Sequence, residues 1–358
     1  MSDMVEGDLI VRRESSAGVI RLNRPKALNA MTLEMSMGID AALDQFEADP
    51  AVAVIVLEGA GERGLCAGGD IRGLYESSKT DGDLGKVFWR QEYVMNARIA
   101  SFPKPYVAYM DGLVMGGGVG LSAHGRHRIV TEKTKLAMPE VGLGFFPDVG
   151  GTWLLSRAPG ELGAYFGLTG QTMNGPDAIH ARFADAVVPT ASWPALRDGL
   201  TKIRPGTPSV EVDRLIADFA IGETAGPVAA QQARIDSWFA HDSMHDIFAA
   251  LEADGSEFAR ATLKSLKEKS PRGMVVTLKL LRLARGAASL EECLVREYRA
   301  ALEVFRSDDF REGVRAAIID KDRNPKWSPP DVDQVTPEML APYLAEIGAD
   351  ELTFPQSR

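Results

Sequence analysis

Cysteine is almost missing from this chain: Cys66 and Cys293 are the only two in 358 residues. Two thiols form no disulfide framework and no metal-ligand spacing, so a reducing compartment is expected, and we read the protein as cytosolic. Long apolar runs are missing too. The longest, AVAVIVL at 51–57, is far shorter than the ~20 residues that cross a bilayer, so no membrane partner is expected. There is no basic block; 40 Lys and Arg against 50 Asp and Glu give a net charge of −10, which leaves a nucleic-acid groove without electrostatic support. The opening MSDMVEGDLI carries acids but neither a cationic nor an apolar region, so no secretory signal is expected. Internal repeats, low-complexity tracts and a G-x-S-x-G nucleophile elbow are also lacking.

What remains is an ordinary globular composition, 45% hydrophobic and 25% charged, enough for a buried core. Residues 8–23 give two β-rich runs around a Ser-Ser-Ala-Gly turn, the pattern of an antiparallel hairpin. From Thr32 as cap, Met35, Ile39, Ala42, Leu43 and Phe46 recur at helical spacing up to Asp49-Pro50. The run at 51–57 predicts a strand buried on both faces. Residues 83–101 predict a helix, 104–112 a strand, and 127–138 a β pair. Helical patterns dominate after Gly150, with Ser270-Pro271 and the Ser289…Glu292 capping box as starts. The Gly/Pro-rich stretch 204–228 is the best junction; we divide the chain into a catalytic core, 1–204, and a helical region, 205–358, that covers the active site.

Chemistry concentrates in two glycine-rich stretches, 64–76 and 111–125, each running from a loop into a helix. Helix starts expose unpaired N–H donors, and glycine lets a ligand approach the backbone; two such ends facing each other can bind an oxyanion. Gly118, Gly120 and Ala123 also fit G-x-G-x-x-A, but they do not follow the first strand of a βαβ unit, so nicotinamide binding is the weaker reading. Glu140 and Asp148 lie on apolar, Gly/Pro-rich backbone in MPEVGLGFFPDVGG. Burial there would raise their pKa and let them divide acid and base roles. Glu92, in WRQEYVM, reads by itself as a solvated helix face. His241 and His245 share an i, i+4 face without a third ligand, so no metal is expected. His124 and His127 follow the second glycine stretch, where a helix C-terminus accounts for them.

Four segments in order, NRPKALNAMT at 23–32, CAGGDI at 66–71, KPYVAYMDGLVMGGGVGLS at 104–122 and MPEVGLGFFPDVGG at 138–151, resemble the successive motifs of the crotonase, or enoyl-CoA hydratase/isomerase, superfamily. The M-P-E…F-P-D-V-G-G signature and the tail DFREGVRAAIIDKDRNPKW at 309–327 resemble its acyl-CoA hydrolase branch. The resemblance covers nearly all of 8–330. It implies an α/β crotonase-like spiral of ββα units with a helical C-terminal region, acting on an acyl-CoA. No cofactor is implied beyond the CoA of the substrate, and a homo-oligomer, trimeric or hexameric, is the family habit. By matched motif, Gly69 and Gly117 are the backbone donors for the thioester oxyanion. Glu140 and Asp148 are catalytic. Substrate contacts fall on Glu92, Asp70, Ile71 and Arg72, with Arg24, Lys26 and Leu28 toward the CoA nucleotide. The family's first hydratase glutamate is replaced by Gly120, which points to thioester hydrolysis over hydration. The competing readings are an enoyl-CoA hydratase or isomerase, a nicotinamide-dependent enzyme and a non-catalytic acyl-CoA-binding protein.

Overall fold

The computed structural model describes residues 7–80, 83–222 and 225–355; the acidic start at residues 1–6 lies outside them. The chain folds into two units, each assembled from separated stretches. The first takes residues up to Gly69, Val94–Leu136 and Met173–Pro227; the second takes Asp70–Tyr93, Ala137–Thr172 and everything from Val228. This division differs from a single cut at 204/205: two early stretches group with the C-terminal helices, and the last boundary falls at the end of the Gly/Pro-rich stretch.

In the first unit, β1 (Leu9–Glu14) and β2 (Ala17–Leu22) form the expected hairpin, with Leu9 opposite Leu22 and Glu14 opposite Ala17. The helix Leu33–Ala48 starts where Thr32 accepts the Met35 N–H, and it buries the predicted Met35, Ile39, Ala42, Leu43 and Phe46. The apolar run after it becomes strand later than expected. The carboxylate of Asp49 accepts the Ala51 N–H at 2.8 Å and turns the chain, so β3 spans Val54–Gly59. The next strands are β4 (Gly64–Cys66), β5 (Tyr106–Met110), β6 (Leu113–Met115), β7 (His127–Val130), β8 (Lys135–Ala137) and β9 (Ala186–Val187).

The main sheet runs β1-β2-β3-β5-β7-β9, parallel after the hairpin, and β4-β6-β8 form a second, smaller sheet. The expected β pair at 127–138 is therefore two strands in different sheets. Thr131 and Thr134 break the run: the Thr134 hydroxyl accepts the Thr131 N–H and donates to the Met110 carbonyl, making a turn between β7 and β8. Val54, Val56, Val107 and Ile129 of the main sheet pack with Trp193, Leu196 and Leu200 of the helix Trp193–Thr201, and Trp193 stacks on Tyr109 at 3.9 Å.

The second unit is helical apart from its turns. Ser270 and Ser289 cap the helices Pro271–Arg285 and Leu290–Arg306 as predicted. The latter buries Leu290, Leu294, Tyr298, Ala301 and Phe305, and with them Glu297. Among the described residues no helix is long and apolar enough to cross a membrane.

Arg197 ties its helix to the main sheet, donating to both oxygens of Glu14 in β1 at 2.8 and 2.9 Å and to Glu58 in β3 at 2.9 Å. Hydrogen bonding to this guanidinium, against the opposing effect of burial, holds the Glu14 carboxyl down to about 2 from an ordinary 4.5. A depressed carboxyl stabilises the fold above its unfolded value and loses that contribution as pH falls toward the folded value. Arg197→Met should therefore cost about 2 kcal/mol at pH 7 and distinctly less at pH 3, read from urea unfolding. An equal loss at both pH values would contradict this.

Candidate active site

Residues 64–69 of the first glycine stretch and the second stretch are set side by side in the first unit because β4 and β6, the strands that lead into them, are parallel neighbours. Each strand is followed by a glycine in the left-handed region, Gly68 at φ +107° and Gly116 at φ +50°. A side chain there would be strained, so the sequence must spend glycine at both. A Cβ on Gly68 would lie 3.8 Å from the Gly117 nitrogen, and one on Gly118 would lie 2.5 Å from the Cys66 carbonyl oxygen. The two loops are packed backbone on backbone. Gly117 opens the six-residue helix Gly117–Ser122, so its N–H has no intrahelical acceptor. Among the described residues, neither it nor the Gly69 N–H donates to a carbonyl in the loops and turns.

The segment from Arg24 to Met31 is sewn to the same loop. Met31 N–H donates to the Gly68 carbonyl and Ala67 N–H to the Leu28 carbonyl, while Asn29 donates to the Ala60 and Gly64 carbonyls. Leu28 and Asn29 both sit at φ +55°. Lys26 lies in the short turn Pro25–Ala27, and Arg63, which sequence reasoning missed, donates to the Pro25 and Lys26 carbonyls. Arg24, Lys26, Leu28, Gly69 and Gly117 are thus brought together. Arg24 pairs with Asp8 at 3.2 Å.

The acids assemble in the second unit. Glu92 comes from the helix Leu84–Ala100, Glu140 opens the tight turn Glu140–Leu143 behind Pro139, and Asp148 precedes the helix Gly151–Ser156. They are 2%, 8% and 6% exposed. Glu92 is therefore no solvated face. The Tyr93 hydroxyl donates to Asp148 at 2.7 Å, and Trp89, Phe145 and Phe146 form an aromatic stack in the same unit.

Burial pushes the carboxyls up. Glu92 rises well above the ordinary range through desolvation and then the charges of Asp148 and Glu140. Glu140 does so through desolvation and the charge of Asp148. Asp148 is raised to about 7 by desolvation, against the lowering effect of the Tyr93 hydroxyl. One oxygen each of Glu92 and Glu140 is buried without a hydrogen-bond partner among the described residues. An unpaired buried polar atom is costly, so both are ready for a polar ligand.

Sequence reasoning missed Tyr93 and Glu297. Glu297 is fully buried and raised to about 8, first by desolvation. Its signal was available: it falls on the apolar stripe between Leu294 and Ala301, where a carboxyl needs a reason. Asp70, Ile71 and Arg72 form the start of the helix Ile71–Ser78, where Arg72 reaches the Ile318 carbonyl at 3.5 Å. His127 needs correcting. It is held by residues of the helix Ser209–Ala217, with Asp213 3.0 Å from Nδ1 and the Ser209 hydroxyl 3.1 Å from Nε2, and burial lowers its pKa. Asp213 is half exposed, so this contact clamps a helix to β7.

The sequence pattern of the enoyl-CoA hydratase/isomerase family matches residues 17–344, and the chain belongs to this crotonase family, with the crotonase fold. Among curated relatives, a bovine and a human protein, each named 3-hydroxyisobutyryl-CoA hydrolase, mitochondrial, are 39% and 38% identical, over 97% of this chain and 91% of theirs. Among solved structures, a carnitinyl-CoA dehydratase from Mycobacterium thermoresistibile is 43% identical, with a TM-score of 0.92 over 98% of this chain and 100% of its own. An enoyl-CoA hydratase from Rhodobacter sphaeroides 2.4.1 is 44% identical, with a TM-score of 0.89 over 97% and 100%.

These relatives overturn the cytosolic reading, since the vertebrate proteins are named as mitochondrial. Scarce cysteine does not by itself distinguish one compartment from another.

The close packing of the glycine loops is testable. Gly118→Ala drives a methyl into the Cys66 carbonyl and should cost about 1–3 kcal/mol, seen as a lower urea midpoint. An unchanged midpoint would show that the loops are free to separate.

Proposed function

We propose that this crotonase-family enzyme hydrolyses a short acyl-CoA thioester, 3-hydroxyisobutyryl-CoA being the best candidate, to the free hydroxy acid and CoA, a step of valine breakdown. The observation that carries the reading is the asymmetry of the acids. Glu140 is buried with an unpartnered oxygen beside Asp148, whereas the position of the family's other hydratase glutamate is Gly120, inside a buried helix. Two acids that deliver water across a double bond are therefore not both present. One acid that drives attack on a carbonyl is.

In this reading the N–H groups of Gly69 and Gly117 receive the thioester oxygen as it gains negative charge. Glu140 either attacks the carbonyl carbon, forming an anhydride that water then opens, or takes a proton from the attacking water. The C–S bond breaks as the tetrahedral carbon collapses. Asp148, poised near neutral, returns a proton to the departing sulfur. Glu92, whose carboxyl burial and the neighbouring acids push up, carries an unpartnered oxygen matched to a hydroxyl on the acyl group. A plain acyl chain would leave it unpaired, and buried polar groups left unpaired reject such analogues strongly. Arg24, Lys26 and Leu28 meet the nucleotide of CoA, with Asp70, Ile71 and Arg72 along the pantetheine side.

The names of the bacterial neighbours favour a second reading, hydration of an enoyl-CoA. Thiol release from 3-hydroxyisobutyryl-CoA, measured beside hydration of crotonyl-CoA on one preparation, separates the two: hydration without thiol release rejects the hydrolase. Glu140→Gln should lower kcat for thiol release at least ~100-fold while acyl-CoA binding stays within a few fold. Full activity in that variant would remove Glu140 from the chemistry.

A further inference from the structure

The turn that carries Asp148 is unusual. Val149, β-branched and buried, sits at φ +54°, and Gly150 follows at φ +76°. Valine avoids this region because its side chain crowds the backbone, and such residues persist only where their surroundings hold them. One buried side chain bonds the backbone on the far side of the valine. Glu297 accepts the Gly150 N–H at 2.7 Å on one oxygen, and the Thr152 N–H at 3.0 Å together with the Thr152 hydroxyl on the other. Both oxygens are engaged, and the residue is fully buried.

We propose that Glu297 is a positioning residue for Asp148, fixing the strained Val149–Gly150 turn so that the Asp148 carboxyl meets the substrate at the required angle. The same helix, Leu290–Arg306, steadies the other side of that carboxyl. The Tyr298 ring packs edge-on against Tyr93 with centroids 6.3 Å apart, and Tyr93 donates to Asp148. A helix far along the chain thereby sets both the backbone and the hydrogen-bond donor of a reacting group. A helix cap alone would explain the bonds to Gly150 and Thr152, but it gives no account of a valine forced into the left-handed region directly after Asp148.

The inference rests on the hydrolase reading for its kinetic readout and has a second readout that does not. In Glu297→Gln the amide nitrogen faces a backbone N–H, so the turn should relax. Thiol release should then show kcat reduced about 10- to 100-fold with KM within about twofold, the pattern of a misplaced group. Adding Val149→Gly removes the resistance to φ +54°, so the double variant should regain at least about fivefold in kcat over Glu297→Gln. Unchanged kcat with a lowered melting temperature, or losses that simply multiply in the double variant, would reduce Glu297 to a cap and overturn the proposal. If Glu297→Gln does not fold, Thr152→Val removes one donor and keeps the backbone bonds. A two- to fivefold loss in kcat at constant KM is then expected, and no loss overturns it. Should the wild type release no thiol, the hydrolase reading fails separately. The carboxyl carbon resonance of Asp148 still decides: it moves in the variant if Glu297 places the group and stays put if it does not.

Discussion

Four carboxyl groups, Glu92, Glu140, Asp148 and Glu297, are buried in one unit, and among the described residues the groups that set their ionisation are one another, hydroxyls and backbone amides, with no cation among them. Water is the usual partner of a carboxylate, and without it or a positive charge the neutral form is favoured. Four acids in that setting cannot all be ionised at neutral pH. One that titrates near neutral, as Asp148 does, can give a proton up or take it back. Acid–base capacity follows from burial together with the acids' nearness to one another.

Keeping such a cluster requires a rigid frame. The second unit supplies one from a stacked aromatic wall, a proline-led turn at Glu140 and a left-handed valine after Asp148, which Glu297 holds. The glycine loops of the first unit rest on a different device. Parallel strands β4 and β6 deliver two chains to the same place, and missing side chains let the backbones touch. In both units backbone in the left-handed region sits where the chemistry is proposed, as expected when a fold gives up stability for a reactive site.

Much of this was legible in the sequence. The hairpin at 8–23, the helix after Thr32 and the capped helices after Ser270 and Ser289 follow from spacing and caps, because those signals are local. The break between β7 and β8 was not legible, since two threonine hydroxyls make a turn that apolar periodicity does not register. Nor was the grouping of 70–93 and 137–172 with the last third of the chain, which depends on contacts between distant segments. For the site, acids on apolar backbone singled out Glu140 and Asp148, whereas the glycine stretches were visible as stretches and only the family resemblance singled out Gly69 and Gly117 within them. Glu92 looked solvated because a lone helix gives no sign of what covers it. Glu297 was missed although its place on an apolar stripe was visible, because the helix pattern around it was already satisfied.

The claim that burial lifts these acids above the ordinary carboxyl range is tested most directly by following the side-chain carboxyl carbons by NMR from pH 4 to 9. The account predicts that Asp148 titrates near 7 and Glu297 near 8, with Glu92 and Glu140 also shifted above the ordinary carboxyl range. If all four titrate together between pH 4 and 5, as exposed carboxyls do, the cluster is solvated and the account is wrong.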